Sequence, residues 1–360
     1  PGETENEVTI PIQGRMNTEN GYVEFFIEVL ESRGFDAFPL EFKIETLDAG
    51  SAANFVRPFD FAQAPLLRAG LLTTGERHVL LIDMRHIISD GVSQEILKKE
   101  FTAFYNGMEL SPLRLQYKDF AVWRHSGMAG DDFLRQDAFW LDHFSGDLPV
   151  LSLPADYARP ELQDFAGDTV AFGFDTTETA GLFRLASSSN ATLFMLLDAL
   201  FKVFLGKVSG QEDVVVGTGV AGRRHADFQD IIGMFVNTLA IRGYPAKEKT
   251  FAQFLAESRE TALAVFENQE YPFENLVEQL DVQRDTSRNP IFDVMLVLQN
   301  LDSAPGKDAK PSPGDTGGQG ANDTANDAID YQHQKSKFDL TLYAMENGDR
   351  IDLALQYATA

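Results

Sequence analysis

No cysteine occurs anywhere in the 360 residues, which removes disulfides, thiolate metal sites and a Cys nucleophile together. Basic residues are scarce: 30 Lys and Arg stand against 55 Asp and Glu, a formal net charge of −25. Binding nucleic acid requires clustered Lys and Arg that release counterions from phosphates, and an anionic membrane surface makes the same demand, so both partners are excluded. No apolar run approaches the roughly 20 residues needed to span a bilayer, and no secretory h-region opens the chain. A soluble cytoplasmic protein is expected. The chain begins at Pro1 without a Met and stops at Ala360 in a strand-like stretch, so both ends read as cuts from something longer.

What is present is enough for a full-sized core, with hydrophobic residues making up 44 %. At roughly 150 residues per domain the length suggests two lobes. Residues 1–50 are acidic and weakly patterned; within them Tyr22 to Glu31 (YVEFFIEVLE) reads as a helix with Phe25, Phe26, Val29 and Leu30 on one side. His78 to His86 (HVLLIDMRH) is an apolar run of strand length, followed by a loop and an amphipathic helix over Val92 to Tyr105. Residues 112–145 look helical and aromatic-rich. Pro and Gly punctuation makes 151–168 the linker between an N-terminal lobe, 1–150, and a C-terminal lobe, 169–360.

The second half alternates: a strand at 169–174, a helix at 192–208, a strand at 213–220, helices at 250–268 and after Pro272, and a strand at 291–300. Residues 301–328, rich in Gly, Pro, Asp and Asn, lack the apolar surface to fold alone and read as a flexible acidic loop. Asn347–Gly348 signals a closing hairpin. Strands mixed with long helices on both sides of the linker indicate an α/β or α+β architecture.

The chemistry concentrates in Asp83-Met84-Arg85-His86-Ile87-Ile88-Ser89-Asp90-Gly91. A strand running through His86 places Leu80, Ile82, Met84 and His86 on one face, with Asp83 and Arg85 on the other. An imidazole where a strand gives way to a loop suits proton transfer near neutral pH. Gly91 permits a tight turn, and Asp90 pins it by capping or by pairing with a cation. The plainer reading makes His86 a satisfied core histidine and Asp90 only a helix cap. The other five of the six histidines sit in polar or loop-like contexts. Nothing resembles a nucleophile elbow, a His-x-x-x-His metal pair or a Gly-rich phosphate cradle.

This segment resembles the His-His-x-x-x-Asp-Gly signature of the condensation-domain superfamily, which shares the chloramphenicol acetyltransferase fold. Five further blocks, one before this segment and four after it, appear in the family's order. They are Phe55 to Leu72, Tyr117 to Trp123 (YKDFAVW), Ile232 to Thr238 (IGMFVNT), Tyr271 to Glu274 (YPFE), and Arg288-Asn289-Pro290 with Phe292. The resemblance covers about residues 54–360. It implies two chloramphenicol acetyltransferase-like lobes in a V-shaped pseudodimer with a tunnel between them, and amide bond formation between carrier-bound groups in a nonribosomal peptide synthetase.

By the same resemblance His86 is catalytic, with Arg85, Asp90 and Gly91 supporting the motif and Asn237, Met234 and Ser93 near the tunnel. No cofactor or metal is bound directly; phosphopantetheine arms arrive on upstream donor and downstream acceptor carrier domains, beside an adenylation domain. Tyr117, Trp123, Phe235 and Phe292 read as core packing. Arg223 and Arg224 read as a solvated loop, with contact to a phosphopantetheine arm as the alternative. The sequence departs from the pattern at Arg85, where the family has the first histidine, and in residues 1–50, where the family carries the arginine implied to partner the motif aspartate. Arg33 is the candidate replacement. Two other readings stay open: a catalytically silent docking platform, and a free-standing acyltransferase of the same fold.

Overall fold

The computed structural model describes residues 9–10, 14–15, 22–27, 40–47, 54–74, 77–127, 130–282, 285–299 and 335–359. Two compact units emerge: residues 1–128 with 221–236, and residues 129–220 with 237–360.

The first unit is built on a six-stranded sheet. Its strands are β1 (Thr9–Ile10), β2 (Gly14–Arg15), β3 (Tyr22–Ile27), β4 (Leu40–Leu47), β5 (Leu67–Thr74) and β6 (Arg77–Met84), in that order across the sheet. All neighbours are antiparallel except β4 and β5. The helix expected from Tyr22 is corrected by β3, which pairs from Tyr22↔Glu45 to Ile27↔Leu40. A short run dense in aromatic and β-branched residues satisfies either periodicity, and the partner strand decides. Leu47, Phe55 and Leu72 form the small buried cluster of this sheet, with Leu81 against it. Helices α1 (Gly91–Tyr105) and α2 (Tyr117–Gly127) follow.

The second unit begins with α3 (Asp131–His143). Its sheet runs β7 (Gly167–Phe174), β12 (Arg350–Ala358), β11 (Leu340–Asn347), β10 (Val294–Gln299), β8 (Val214–Val220), β9 (Asn237–Gly243). β10 is parallel to both its neighbours, and the other pairs are antiparallel. Gly348, at φ +64°, closes the expected β11–β12 hairpin. Helices α4 (Thr176–Ser188), α5 (Leu193–Ser209), α6 (Phe251–Glu267) and α7 (Phe273–Gln279) complete it. Asp175 with Glu178, and Thr250 with Gln253, form capping boxes that satisfy the first N–H groups of α4 and α6. The expected loop at 301–328 lies outside the described residues.

The boundary between units differs from the 151–168 expected from Pro and Gly content. Helix α3 falls in the second unit because Trp140 and Phe144, each 2 % exposed, pack with Val215, Leu239, Ile241 and Phe292. Burying a ring such as Phe144 is worth about 1.5–3 kcal/mol, more than a punctuated loop decides. Residues 221–236, placed by sequence in the C-terminal lobe, belong with the first unit, where Phe228, Ile231 and Phe235 pack with Phe120.

Candidate functional site

Strand β6 ends at Met84, two residues short of His86, so the expected strand face carrying His86 is corrected. Arg85 still donates its N–H to the Leu66 carbonyl (3.0 Å). The chain then tightens into a single 3₁₀ turn over His86–Ile88, with Ile88 N–H on Arg85 O (3.2 Å) and Ser89 N–H on His86 O (3.1 Å). His86 is exposed, so the reading of a packed core histidine does not hold. Its Nδ1 lies 2.8 Å from the Ser89 carbonyl oxygen. A carbonyl only accepts, so Nδ1 carries a proton, and in the neutral imidazole Nε2 is the acceptor.

Arg85 is exposed as well, its guanidinium 4.8 Å from the centre of the Phe61 ring. Asp83 pairs not with Arg85 but with Arg68, at 3.4 Å. Arg68 in turn donates to the Phe55 and Pro58 carbonyls and lies over the Phe59 ring.

Asp90 is 3 % exposed and is the N-cap of α1. Its carboxylate accepts from Ser93 N (2.8 Å), Ser93 Oγ (2.7 Å), Phe235 N (3.0 Å) and the Arg223 guanidinium (3.0 and 3.2 Å). Burial pushes the Asp90 pKa up, but hydrogen bonds from Ser93, Phe235 and Arg223 outweigh it and hold the carboxyl below its usual range. Arg223 is 9 % exposed and also donates to Phe228 O (2.7 Å) and Ile231 O (2.5 Å), with its guanidinium 4.0 Å from the Phe235 ring centre. The solvated-loop reading of Arg223 is therefore corrected, while Arg224 is exposed. The partner of Asp90 comes from 133 residues downstream and not from the amino-terminal segment; Arg33 lies outside the described residues. Delivery of Arg223 depends on Gly222, at φ +65°, where a Cβ would fall 2.0 Å from Phe235 O.

The remaining expected residues separate. Ser93 is fully buried in the Asp90 network. Gly91 opens α1 without a left-handed φ, and a Cβ there would meet nothing within 4 Å, so no tight turn demands glycine. Met234 contributes its carbonyl to the Tyr117 hydroxyl (2.8 Å). Asn237 belongs to the second unit and donates both amide hydrogens locally, to Gln269 O (2.8 Å) and Tyr271 O (2.7 Å). Tyr117 and Phe235 do pack together, rings 5.2 Å apart, and Phe292 is buried in the second unit. Trp123 is 54 % exposed, resting one side on Phe120 and Phe228, so its reading as core is corrected.

Sequence reasoning missed Arg223 as the anchor. The local signal pointed the other way: Arg223 follows the Gly-rich GTGVAG turn and opens the polar stretch RRHADFQD, and its burial comes from residues remote in the chain. A cavity of about 1180 Å³ in the second unit, lined by Val215, Val277, Ile291 and Phe292 among others, includes none of the expected site residues. Among the described residues no cluster of three or more His, Asp or Glu is arranged to hold a metal ion, and no helix is long and apolar enough to cross a membrane.

The model of the condensation domain family matches residues 16–360. Tyrocidine synthase 3 of Brevibacillus parabrevis is 48 % identical over 307 residues, covering 85 % of this chain and 4 % of the relative. Bacitracin synthase 3 of Bacillus licheniformis is 46 % identical over 307 residues, 85 % of this chain and 5 % of the relative. The chain thus spans a small fraction of these relatives' lengths. Among solved structures, a holo four-domain nonribosomal peptide synthetase bound to AMP and glycine aligns with TM-score 0.71 at 25 % identity, over 87 % of this chain and 25 % of that one. The X-domain from teicoplanin biosynthesis aligns with TM-score 0.72 at 25 % identity, over 90 % and 75 %. With its mixed α/β architecture, its histidine turn and its buried aspartate all accounted for, this chain belongs to the condensation-domain family.

Proposed function

We propose that the chain joins a carrier-bound acyl or peptidyl thioester to the α-amine of a carrier-bound aminoacyl group, forming an amide, within a cytoplasmic multidomain synthetase. The observation that carries the reading is the exposed His86 ring, whose Nδ1–H is committed to the Ser89 carbonyl and whose Nε2 is left as an acceptor. The substrates arrive on phosphopantetheine arms of donor and acceptor carrier domains, beside an adenylation domain. The arms are handles of the substrates, and the thioester is already activated.

The acceptor amine attacks the thioester carbonyl and its lone pair becomes the new C–N bond. Charge collects on the carbonyl oxygen, and the C–S bond breaks as that charge returns. His86 Nε2 takes the proton shed by the attacking nitrogen and returns it to the departing sulfur, so no net proton is lost. Imidazole is the side chain suited to taking and returning a proton near neutral pH. Holding the two reactants together supplies most of the remaining acceleration.

The test is dipeptidyl product formed from loaded donor and acceptor carriers. His86→Ala is expected to lower the rate by about 10²–10⁴-fold while leaving the fold intact, because the ring is exposed. Carrier binding without product in the parent protein makes the chain a docking platform instead. Turnover of coenzyme A thioesters with free amines makes it a free-standing acyltransferase.

A further inference from the structure

The Ser93 hydroxyl is fully buried and is bonded on every side. Its oxygen lies 2.7 Å from Asp90 Oδ1, 2.8 Å from Gly233 O, 3.0 Å from Gly233 N and 2.9 Å from Arg223 Nη2. A hydroxyl has one proton and two lone pairs. The proton goes to Asp90 or to the Gly233 carbonyl, and the lone pairs take the Gly233 N–H and the Arg223 guanidinium. Starting the helix needs none of this, because Asp90 already caps α1 through the Ser93 backbone N–H (2.8 Å). What the hydroxyl adds is a lock between the first turn of α1 and a segment 140 residues downstream.

The lock lies next to the histidine turn in the chain. Asp90 follows Ser89 directly, and Ser89, 1 % exposed, gives its carbonyl to His86 Nδ1–H and its N–H to His86 O. A shift of Asp90 therefore moves the peptide that sets the imidazole's direction. We infer that Ser93 is a positioning residue of the proposed amide-forming step, holding Asp90 and Gly233 together so that Ser89 presents His86 in one orientation. This rests on the assignment of His86 above and names the residue through which its orientation is kept.

The experiment compares Ser93→Ala, Ser93→Thr and Ser258→Ala in the carrier-to-carrier assay across pH. Ser258 is a suitable control: it is 4 % exposed, its Oγ has no partner, and it lies in the second unit. Ser93→Ala is expected to lower kcat by up to about 10²-fold with the KM for loaded carriers little changed. It is also expected to shift the acid limb of the kcat profile, which the proton-accepting imidazole sets, because His86 Nδ1–H is no longer held on the Ser89 carbonyl in one orientation. Ser93→Thr restores both, and Ser258→Ala changes neither. A folded Ser93→Ala variant with the parent's kcat overturns the inference. So does one whose kcat falls together with its melting temperature while the profile stays in place.

If Ser93→Ala does not fold, Ser93→Thr decides: the parent's rate and profile support the inference, and a folded variant as slow as His86→Ala overturns it. A parent protein that binds carriers and makes no product defeats the functional reading, not the lock. The Asp90 carboxyl titration, followed by NMR in parent and Ser93→Ala, then decides: a higher pKa in the variant supports the lock and an equal one removes it.

Discussion

Replacing Arg223 by methionine isolates what the buried ion pair contributes. The change keeps an unbranched apolar stem and removes the guanidinium with its charge. Asp90 then remains a carboxylate 3 % exposed, with the Ser93 and Phe235 donors but no countercharge, and the Phe228 and Ile231 carbonyls lose their donor. Breaking one half of a buried pair costs about 3–5 kcal/mol, a large part of the 5–15 kcal/mol typical of a whole domain. Urea denaturation followed by tryptophan fluorescence reads it directly, since Trp123 lies 5.7 Å from the Phe228 ring. The double variant Asp90→Asn/Arg223→Met removes both charges and is expected to be less destabilised than the two single changes summed, by about 0.5–3 kcal/mol.

The pH dependence carries a sign. Asp90 titrates below its usual value in the folded state, so its contribution is complete above the unfolded pKa of about 3.9 and is lost as pH falls through the folded value. The gap between parent and Arg223→Met should therefore narrow in acid. A cost under about 1 kcal/mol at neutral pH, or single costs that add without coupling, would refute the reasoning.

The fully buried pair Lys202–Asp198 (2.6 Å) predicts that Lys202→Met alone destabilises by about 3–5 kcal/mol, whereas Asp198→Leu/Lys202→Met together is near neutral or stabilising; chemical denaturation of the three proteins checks this. His143 accepts the Arg242 N–H through Nε2 (3.3 Å), and burial, with Lys202 and Arg242 nearby, pushes its pKa down to about 4. The unfolded chain binds that proton near 6.5, so stability is full above pH 6.5 and falls as the pH drops toward 4. Between pH 7 and pH 5 the parent is expected to lose about 2 kcal/mol from this group and His143→Gln much less, measured by urea midpoints at the two pH values.

Local signals in the sequence determined most helices and the closing hairpin. Thr250 with Gln253 caps the expected helix at 250–268 within one turn, and Asn347–Gly348 sets its own hairpin, whereas α4, capped by Asp175 with Glu178, was not among the expected helices. The order of the blocks from Phe55 to Phe292 likewise carried the family, and the segment from Arg85 to Gly91 carried the candidate histidine. Tertiary structure alone decided three matters, each because the deciding partner is remote in the chain. Strand β3 exists through its pairing with β4, which a six-residue run cannot announce. Helix α3 joined the second unit because Trp140 and Phe144 found their packing partners on β8 and β9. Asp90 took Arg223 as its partner because the segment after β8 returns to the first unit, and a buried carboxylate is held by whichever cation folding brings to it.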